Sequence, residues 1–126
     1  MANIQDTLDE IMEIDGAIAA ALVDWKSGMT LGTAGGSSKY LDIELAAAGN
    51  TNVVRAKLDV MKSLNLKGSI EDILISLTEQ YHLIRLLGSN PDLFIYVALH
   101  RSQANLGLAR YTLTKLEKEL EVLPTA

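Results

Sequence analysis

The spacing of apolar residues along the chain predicts an ordered series of helices and strands. Residues 4–12 repeat apolar side chains at helical spacing, with Asn3 as a candidate N-cap, and predict a first amphipathic helix. Residues 17–23 form a continuous apolar run, and apolar and polar residues alternate over 29–33. Because a polar turn with glycine at 24–28 joins these two segments, they predict a β-hairpin whose first strand is buried on both faces.

A segment rich in glycine and serine at residues 35–38 precedes the longest predicted element, a second helix over about 39–64. Ser38 is a candidate N-cap for this helix. Asp42 and Glu44 would lie near its positive end, where carboxylates are favourable. We therefore expect a long helix that begins just after the serines.

Three short apolar segments and a final helix complete the predicted order. The segments at 70–77, 81–87 and 93–100 are separated by short polar stretches, which predicts a three-stranded meander. Apolar residues between 106 and 120 step by three and four and predict a last helix, closed by Pro124. The order of elements is therefore α-ββ-α-βββ-α.

The second predicted helix carries two apolar stripes, although a helix that only covers a sheet needs one. The first, which we call the inner stripe, consists of Ala47, Val54, Leu58 and Met61. The second, the outer stripe, has the same three-four spacing and consists of Ala46, Gly49, Val53, Ala56 and Val60. We expect the helix to bury the inner stripe on its own sheet and the outer stripe on a second copy. The alternative is that both stripes are buried within one monomer.

Composition and charge limit the class of protein. With 126 residues the chain is long enough for one domain over residues 1–126, with its core at about 4–122. The absence of cysteine excludes a disulfide framework and a thiolate metal site, and the net charge of −5 disfavours nucleic acid and anionic membranes. No apolar run is long enough to span a membrane, and the first residues do not have the pattern of a signal peptide. We therefore expect a cytoplasmic protein.

Residues that could carry chemistry lack the spacing that chemistry requires. Residues 32–39 have the composition of a phosphate-binding loop, but Lys39 follows two serines rather than the glycine of a P-loop. His82 and His100 lie in different predicted strands, and no nucleophile elbow or metal-ligand spacing accompanies them. The adjacent carboxylates of Glu71-Asp72 would diverge, and we interpret them as a solvated face. We therefore expect neither an enzyme nor a bound cofactor or metal.

Three further positions are open to a structural interpretation. Trp25 in the first hairpin either anchors a partner or covers the edge of the core. Asn105, with Ser102, is placed to tie the start of the last helix, and Gly107 would let that helix lie close to the sheet.

Several local strings, together with the order of elements, resemble the Roadblock/LC7 family, in particular its short bacterial members similar to gliding-protein B. They are GAIAAALVDWKSG at residues 16–28, YHLIRL at 81–86 and NLGLAR at 105–110. The resemblance covers nearly the whole chain. It implies a profilin-like α+β sandwich, in which a five-stranded, mainly antiparallel sheet has one long helix on one face and two helices on the other.

The resemblance also implies an assembly and a partner. In such a homodimer the third strands, here with Ile73 and Ile75, pair edge to edge, and the second helices lie side by side through the outer stripe. Bacterial members serve as partners, and in some cases activators, of small Ras-like GTPases. Activation would act by positioning the GTPase's own residues, since the sequence has no recognised arginine finger. We expect the GTPase to contact an exposed polar row on the second helix, formed by Asn52, Arg55, Asp59 and Lys62.

Two other functions stay open at this point. One is a purely structural homodimerisation module of a multi-protein signalling assembly. The other is a small-ligand sensor, which would need a pocket with aromatic or convergent polar lining. Because the chain has a single phenylalanine, the sensor is the weaker of the two.

Overall fold

The computed structural model of the chain describes residues 2–35, 37–38 and 41–122. The helices are α1 (Ile4–Ile11), α2 (Ile43–Ser63) and α3 (Leu106–Glu119). In chain order the strands are β1 (Ala17–Asp24), β2 (Met29–Gly35), β3 (Ser37–Ser38), β4 (Leu41–Asp42), β5 (Asp72–Ser76), β6 (Gln80–Leu86) and β7 (Leu93–His100). β3 pairs with β4, and the other five strands form one sheet.

The five-stranded sheet has the order β2-β1-β7-β6-β5, and all of its neighbouring strands are antiparallel. The predicted order α-ββ-α-βββ-α is confirmed, including the hairpin of β1 and β2 and the meander of β5, β6 and β7. The short β3–β4 pair was not predicted, because two-residue strands are too short to show an alternating pattern.

Helices cover both faces of the sheet and create two hydrophobic layers. On one face α1 and α3 pack against the sheet, and the buried helical residues there are Leu8, Ile11, Ala109, Leu113 and Leu116. On the other face α2 packs mainly on β1 and β2, and its buried apolar residues are Ile43, Ala47 and Val54. The predicted α+β arrangement, with one long helix opposite two shorter ones, is therefore confirmed.

The start of α2 differs from the prediction. The side chain of Asp42, rather than that of Ser38, is the N-cap, and its carboxylate accepts a hydrogen bond of 3.2 Å from the backbone N–H of Leu45. The helix therefore begins at Ile43, because an ionised cap satisfies the free N–H groups and complements the helix dipole. The predicted first helical residue, Lys39, lies outside the described residues, and Ser38 belongs to β3.

Local hydrogen bonds form the C-terminal end of α2 and the N-terminal end of α3. Asn65 has a positive φ of 54°, and the N–H groups of Asn65 and Leu66 donate to the carbonyls of Lys62 and Met61, which closes α2. The side chain of Asn105 caps α3 as predicted, accepting from the N–H of Leu108 at 3.0 Å.

The prediction for Gly107 was wrong. Gly107 is exposed, and a Cβ atom at this position would contact only the Asn105 side chain, at 3.6 Å. Close helix–sheet packing therefore does not require glycine here. Glycine is required instead at Gly35, next to β1, where φ is +69° and a Cβ would lie 2.6 Å from the carbonyl oxygen of Ile18.

Replacing Gly35 with alanine should destabilise the protein more than the same change at Gly28. Both residues have positive φ, but a Cβ at Gly28 has no neighbour within 4 Å. Gly28→Ala should therefore cost only the left-handed backbone conformation, about 1 kcal/mol. Gly35→Ala should cost roughly 2 kcal/mol or more, because the backbone of β1 must also move. Urea denaturation of both variants measures the difference, and equal free energies of unfolding would contradict the steric argument.

Candidate interaction surfaces

Four of the five residues of the outer stripe of α2 are exposed in the described part of the chain. Val53 and Val60 are 37% and 46% exposed, Gly49 and Ala56 are exposed, and Ala46 is half-buried. In the inner stripe, Ala47, Val54 and Leu58 belong to the hydrophobic layer between α2 and the sheet, and Ala46 of the outer stripe also packs against this layer. A contiguous apolar stripe on the surface is typical of an interaction site, whereas single exposed apolar residues are not.

The strand β5 forms one edge of the sheet. Ile73 and Ile75 on this strand are half-buried, and Ile73 packs against the layer beneath α2. Since side chains two residues apart lie on the same face of a strand, Ile75 shares that face. Within the described residues β5 pairs with β6 alone, so its other edge is available for pairing with another strand.

The predicted polar row on α2 is divided by the structure. Asn52, Asp59 and Lys62 are exposed, but Arg55 is half-buried and has intramolecular partners. Its Nε donates to the carbonyl oxygen of Trp25 at 2.9 Å, and its Nη2 donates to that of Lys26 at 2.8 Å. Arg55 therefore ties α2 to the β1–β2 turn. This contact was not evident from the sequence, because a side chain that binds backbone carbonyls leaves no complementary residue type in the pattern.

Three members of the row lie together at one cleft. The cleft has a volume of about 450 Å³ and lies between the β1–β2 turn and α2. It is lined by Trp25, Lys26, Arg55, Leu58, Asp59 and Lys62, whereas Asn52 does not line it. Three cationic side chains, one carboxylate and two apolar side chains thus surround the opening.

Two ion pairs join the sheet to α3. Arg85 on β6 donates to the carboxylate of Glu117, and Arg110 on α3 donates to both oxygens of Asp72 at 3.1 and 3.4 Å. The interpretation of Glu71-Asp72 as a solvated face was therefore wrong for Asp72, whose side chain is only 19% exposed. The partners are 32 and 38 residues apart, so local sequence patterns could not reveal them.

All four arginines of the chain have intramolecular partners. Besides Arg55, Arg85 and Arg110, Arg101 donates to the carbonyl oxygen of Leu77 at 3.1 Å. The guanidinium group of Arg101 also lies 5.0 Å from the centre of the Tyr81 ring, which is a cation–π distance. The lysines of the cleft are less constrained, since the Lys26 side chain is 63% exposed even in its pair with Asp92.

A chain of polar side chains crosses the sheet beneath α2. Asn50 on α2 hydrogen-bonds the hydroxyl of Tyr96, which lies 3.1 Å from Nδ1 of His82, while Nε2 of His82 lies 2.7 Å from the amide oxygen of Gln80. Both contacts are satisfied when His82 is neutral, with Nε2 donating and Nδ1 accepting. Burial lowers the pKa of His82 and raises the pKa of Tyr96 to about 12, and the hydrogen bond from Asn50 opposes the rise.

The two histidines that the sequence analysis considered make different contacts. The ring nitrogens of His82 are occupied by Tyr96 and Gln80. His100 ends β7, where its backbone N–H donates to the carbonyl oxygen of Gly16 at 2.7 Å. Among residues 2–35, 37–38 and 41–122, no group of three or more histidine and carboxylate side chains is placed to hold a metal ion. No helix in the described part of the chain is long and apolar enough to cross a membrane.

Solved structures share this architecture over most of their length. A Roadblock/LC7 domain from Streptomyces avermitilis superimposes with a TM-score of 0.78 and 13% sequence identity, covering 94% of each chain. MglB from Myxococcus xanthus gives a TM-score of 0.76 at 19% identity, covering 90% of this chain and 88% of that one. A structure described as MglB with tetrameric arrangement gives 0.76 at 16% identity, covering 91% and 82%.

The fold of this chain is therefore the Roadblock/LC7 fold, as the resemblance of its sequence strings implied. Among the proteins with this fold it is similar in structure to MglB, and the TM-scores of 0.76 establish the shared fold. No protein-family model and no curated protein matches the sequence.

Acid should destabilise the protein through His82. Burial holds the folded pKa of His82 below its ordinary value of 6.5, so the unfolded state binds the proton more readily. This contribution to stability is complete above 6.5 and decreases as the pH falls through the folded pKa. His82→Gln should remove that part of the pH dependence, while His100→Gln, the control, should retain it. Urea midpoints between about pH 7.5 and 5.5 test this, and an unchanged slope in His82→Gln would contradict it.

Proposed function

We propose that this chain forms a homodimer that binds a small Ras-like GTPase and modulates its hydrolysis of GTP. The observation that carries the proposal is the largely exposed outer stripe of α2 on a chain whose sheet has an open edge at β5. The fold shared with MglB, including a structure described as having a tetrameric arrangement, supports assembly of several copies. The family resemblance of the sequence supports the choice of a GTPase as the partner.

The composition of the outer stripe favours contact between two copies of α2. Ala46, Gly49 and Ala56 are small and allow two helix backbones to approach closely, while Val53 and Val60 supply apolar area. A glycine inside a helix destabilises it by about 1 kcal/mol relative to alanine. A close approach of a second helix would explain why glycine stands at position 49. Pairing of β5 with its counterpart would at the same time satisfy the backbone groups of an otherwise open edge.

The contacts of the arginines suggest how the protein would act on GTP hydrolysis by the GTPase. An arginine finger needs a guanidinium group that is free to reach the transferring phosphate. Each arginine of this chain already binds a carbonyl or a carboxylate of its own fold. We therefore propose that the dimer positions residues of the GTPase rather than contributing a catalytic group, and that it is not itself an enzyme.

The first prediction of this function is that the protein is a dimer whose association depends on Gly49. A Cβ at Gly49 has no neighbour within 4 Å in the monomer, so Gly49→Leu should leave the monomer folded. The larger side chain should nevertheless separate the two helices and weaken dimerisation. Ala48→Leu is the matched control, because Ala48 is an exposed α2 residue outside both stripes.

Light scattering with ultracentrifugation measures the masses and the dissociation constants. Wild type and Ala48→Leu should give the dimer mass, and Gly49→Leu the monomer mass at micromolar concentration. Ala46→Arg should act in the same direction through an unpaired charge. A monomeric wild type would remove the dimer, and a Gly49→Leu dimer of unchanged affinity would place the interface elsewhere.

The second prediction concerns the GTPase. A Ras-like GTPase of the same genome should be retained by the immobilised dimer more strongly when loaded with a non-hydrolysable GTP analogue than with GDP. Its rate of GTP hydrolysis should change when the dimer is added, and Gly49→Leu should reduce that change. Equal retention of both nucleotide forms with no change in rate would favour a structural dimerisation module. No retention of either form would overturn the proposal.

A further inference from the structure

The cleft between the β1–β2 turn and α2 has an apolar floor. Trp25 and Leu58 line it, and both are partly buried against the hydrophobic layer beneath α2. Trp25 therefore covers the edge of the core with part of its ring and presents another part to the cleft. The two interpretations that the sequence left open for Trp25 are thus compatible.

The walls of the cleft are held in place before any partner binds. The indole N–H of Trp25 donates to the carbonyl oxygen of Pro91 at 2.7 Å, and Arg55 holds the carbonyls of Trp25 and Lys26 from the opposite side. Within the turn the carboxylate of Asp24 accepts from the backbone N–H of Lys26 at 2.9 Å. Because the turn is fixed between α2 and the β6–β7 loop, little conformational entropy of the turn would be lost when a ligand binds.

The charge of the cleft is opposite to that of the chain. The net charge of the chain is −5, yet the cleft is lined by Lys26, Arg55 and Lys62 against a single carboxylate, that of Asp59. Lys26 pairs with Asp92 at 3.3 Å, but both side chains are well exposed, so this pair is weak and can be exchanged. The charge favours an anionic partner, and the apolar floor favours one that also carries an apolar side chain.

The cleft and the proposed dimer interface do not compete for residues. No member of the outer stripe is among the residues that line the cleft, and Ile73 and Ile75 do not line it either. Each protomer of a dimer would therefore retain its own open cleft. A second copy that is bound through the outer stripe would therefore not fill the cleft, and the charge of the cleft favours an anionic partner over a further copy of this acidic chain.

We propose that this cleft binds an acidic segment of the GTPase, with an apolar side chain of that segment against Trp25 and Leu58 and its carboxylates near Lys26 and Lys62. This inference rests on the proposed function and adds to it the chemistry of the contact. Arg55 is a positioning residue in this site, because its guanidinium group holds the turn. Recognition is carried by the two lysines and the indole ring.

The single tryptophan of the chain allows a direct test. The probe is the peptide acetyl-Asp-Glu-Leu-Glu-Asp-amide, titrated at moderate salt while the fluorescence of Trp25 is recorded. A saturable change in emission is expected. Replacing the leucine of the peptide with glycine, or its four acids with lysine, should weaken the response by about tenfold or more, because each removes one of the two interactions.

Variants of the protein assign the effect to the cleft. Lys26→Glu with Lys62→Glu should weaken peptide binding by about tenfold or more. The control, Lys57→Glu with Lys67→Glu, makes the same change in net charge at exposed positions outside the cleft and should change it less than about twofold at moderate salt. Circular dichroism and melting curves verify that both double variants fold.

The same variants, tested with the GTPase, separate the two proposals. If the GTPase binds and the cleft variant loses affinity while the control does not, both stand. If the GTPase binds and both double variants bind it equally well, the cleft inference is overturned and the proposed function stands. If no GTPase binds but the acidic peptide does, the cleft chemistry stands and the GTPase partner is overturned. If Trp25 emission does not change with any peptide, or changes only when the dimer is diluted, the cleft inference is overturned.

Discussion

The rest of the structure depends on the pairing of β1 with β7 at the centre of the sheet. Nearly every residue of both strands is buried, on both faces, so each face of the central sheet must be covered by helices. Ala19, Ala20 and Ala21 are fully buried, and their small side chains leave space for helices on both faces. The positions of α1, α2 and α3 follow from this requirement, because each supplies an apolar face to one side of the sheet.

The two faces of the sheet are covered by different numbers of helices, and this difference leaves surfaces exposed for interaction. Two helices share one face, whereas α2 alone covers the other and lies mainly over β1 and β2. On that face polar side chains connect Asn50 on α2 through Tyr96 and His82 to Gln80 on β6, and burial lowers the pKa of His82. A single helix on a five-stranded sheet thus leaves most of its own outer stripe exposed, while β5 is only half-buried at the edge of the sheet.

Arginines and lysines have different roles in this structure because their side chains differ in chemistry. The arginines bind carbonyls and carboxylates within the fold, since a planar guanidinium group can hold two acceptors at once. The lysines at the cleft are more exposed and bind by charge rather than by fixed geometry. A partner that docks at the cleft would therefore contact a turn that is fixed by Arg55 and two exposed lysines beside it.

The sequence by itself determined the order of helices and strands and the caps at Asn3 and Asn105, because periodicity and capping act over a few neighbouring residues. It also separated the two stripes of α2. The five-stranded sheet followed only from the resemblance of the sequence strings to the Roadblock/LC7 family. Only the tertiary structure decided that α2 begins after Asp42, that Asp72 pairs with Arg110, and that Arg55 holds the turn of Trp25. The reason is that these contacts join residues 30 or 38 positions apart, or depend on how the chain enters a helix, and they exist only after the sheet has brought its elements together.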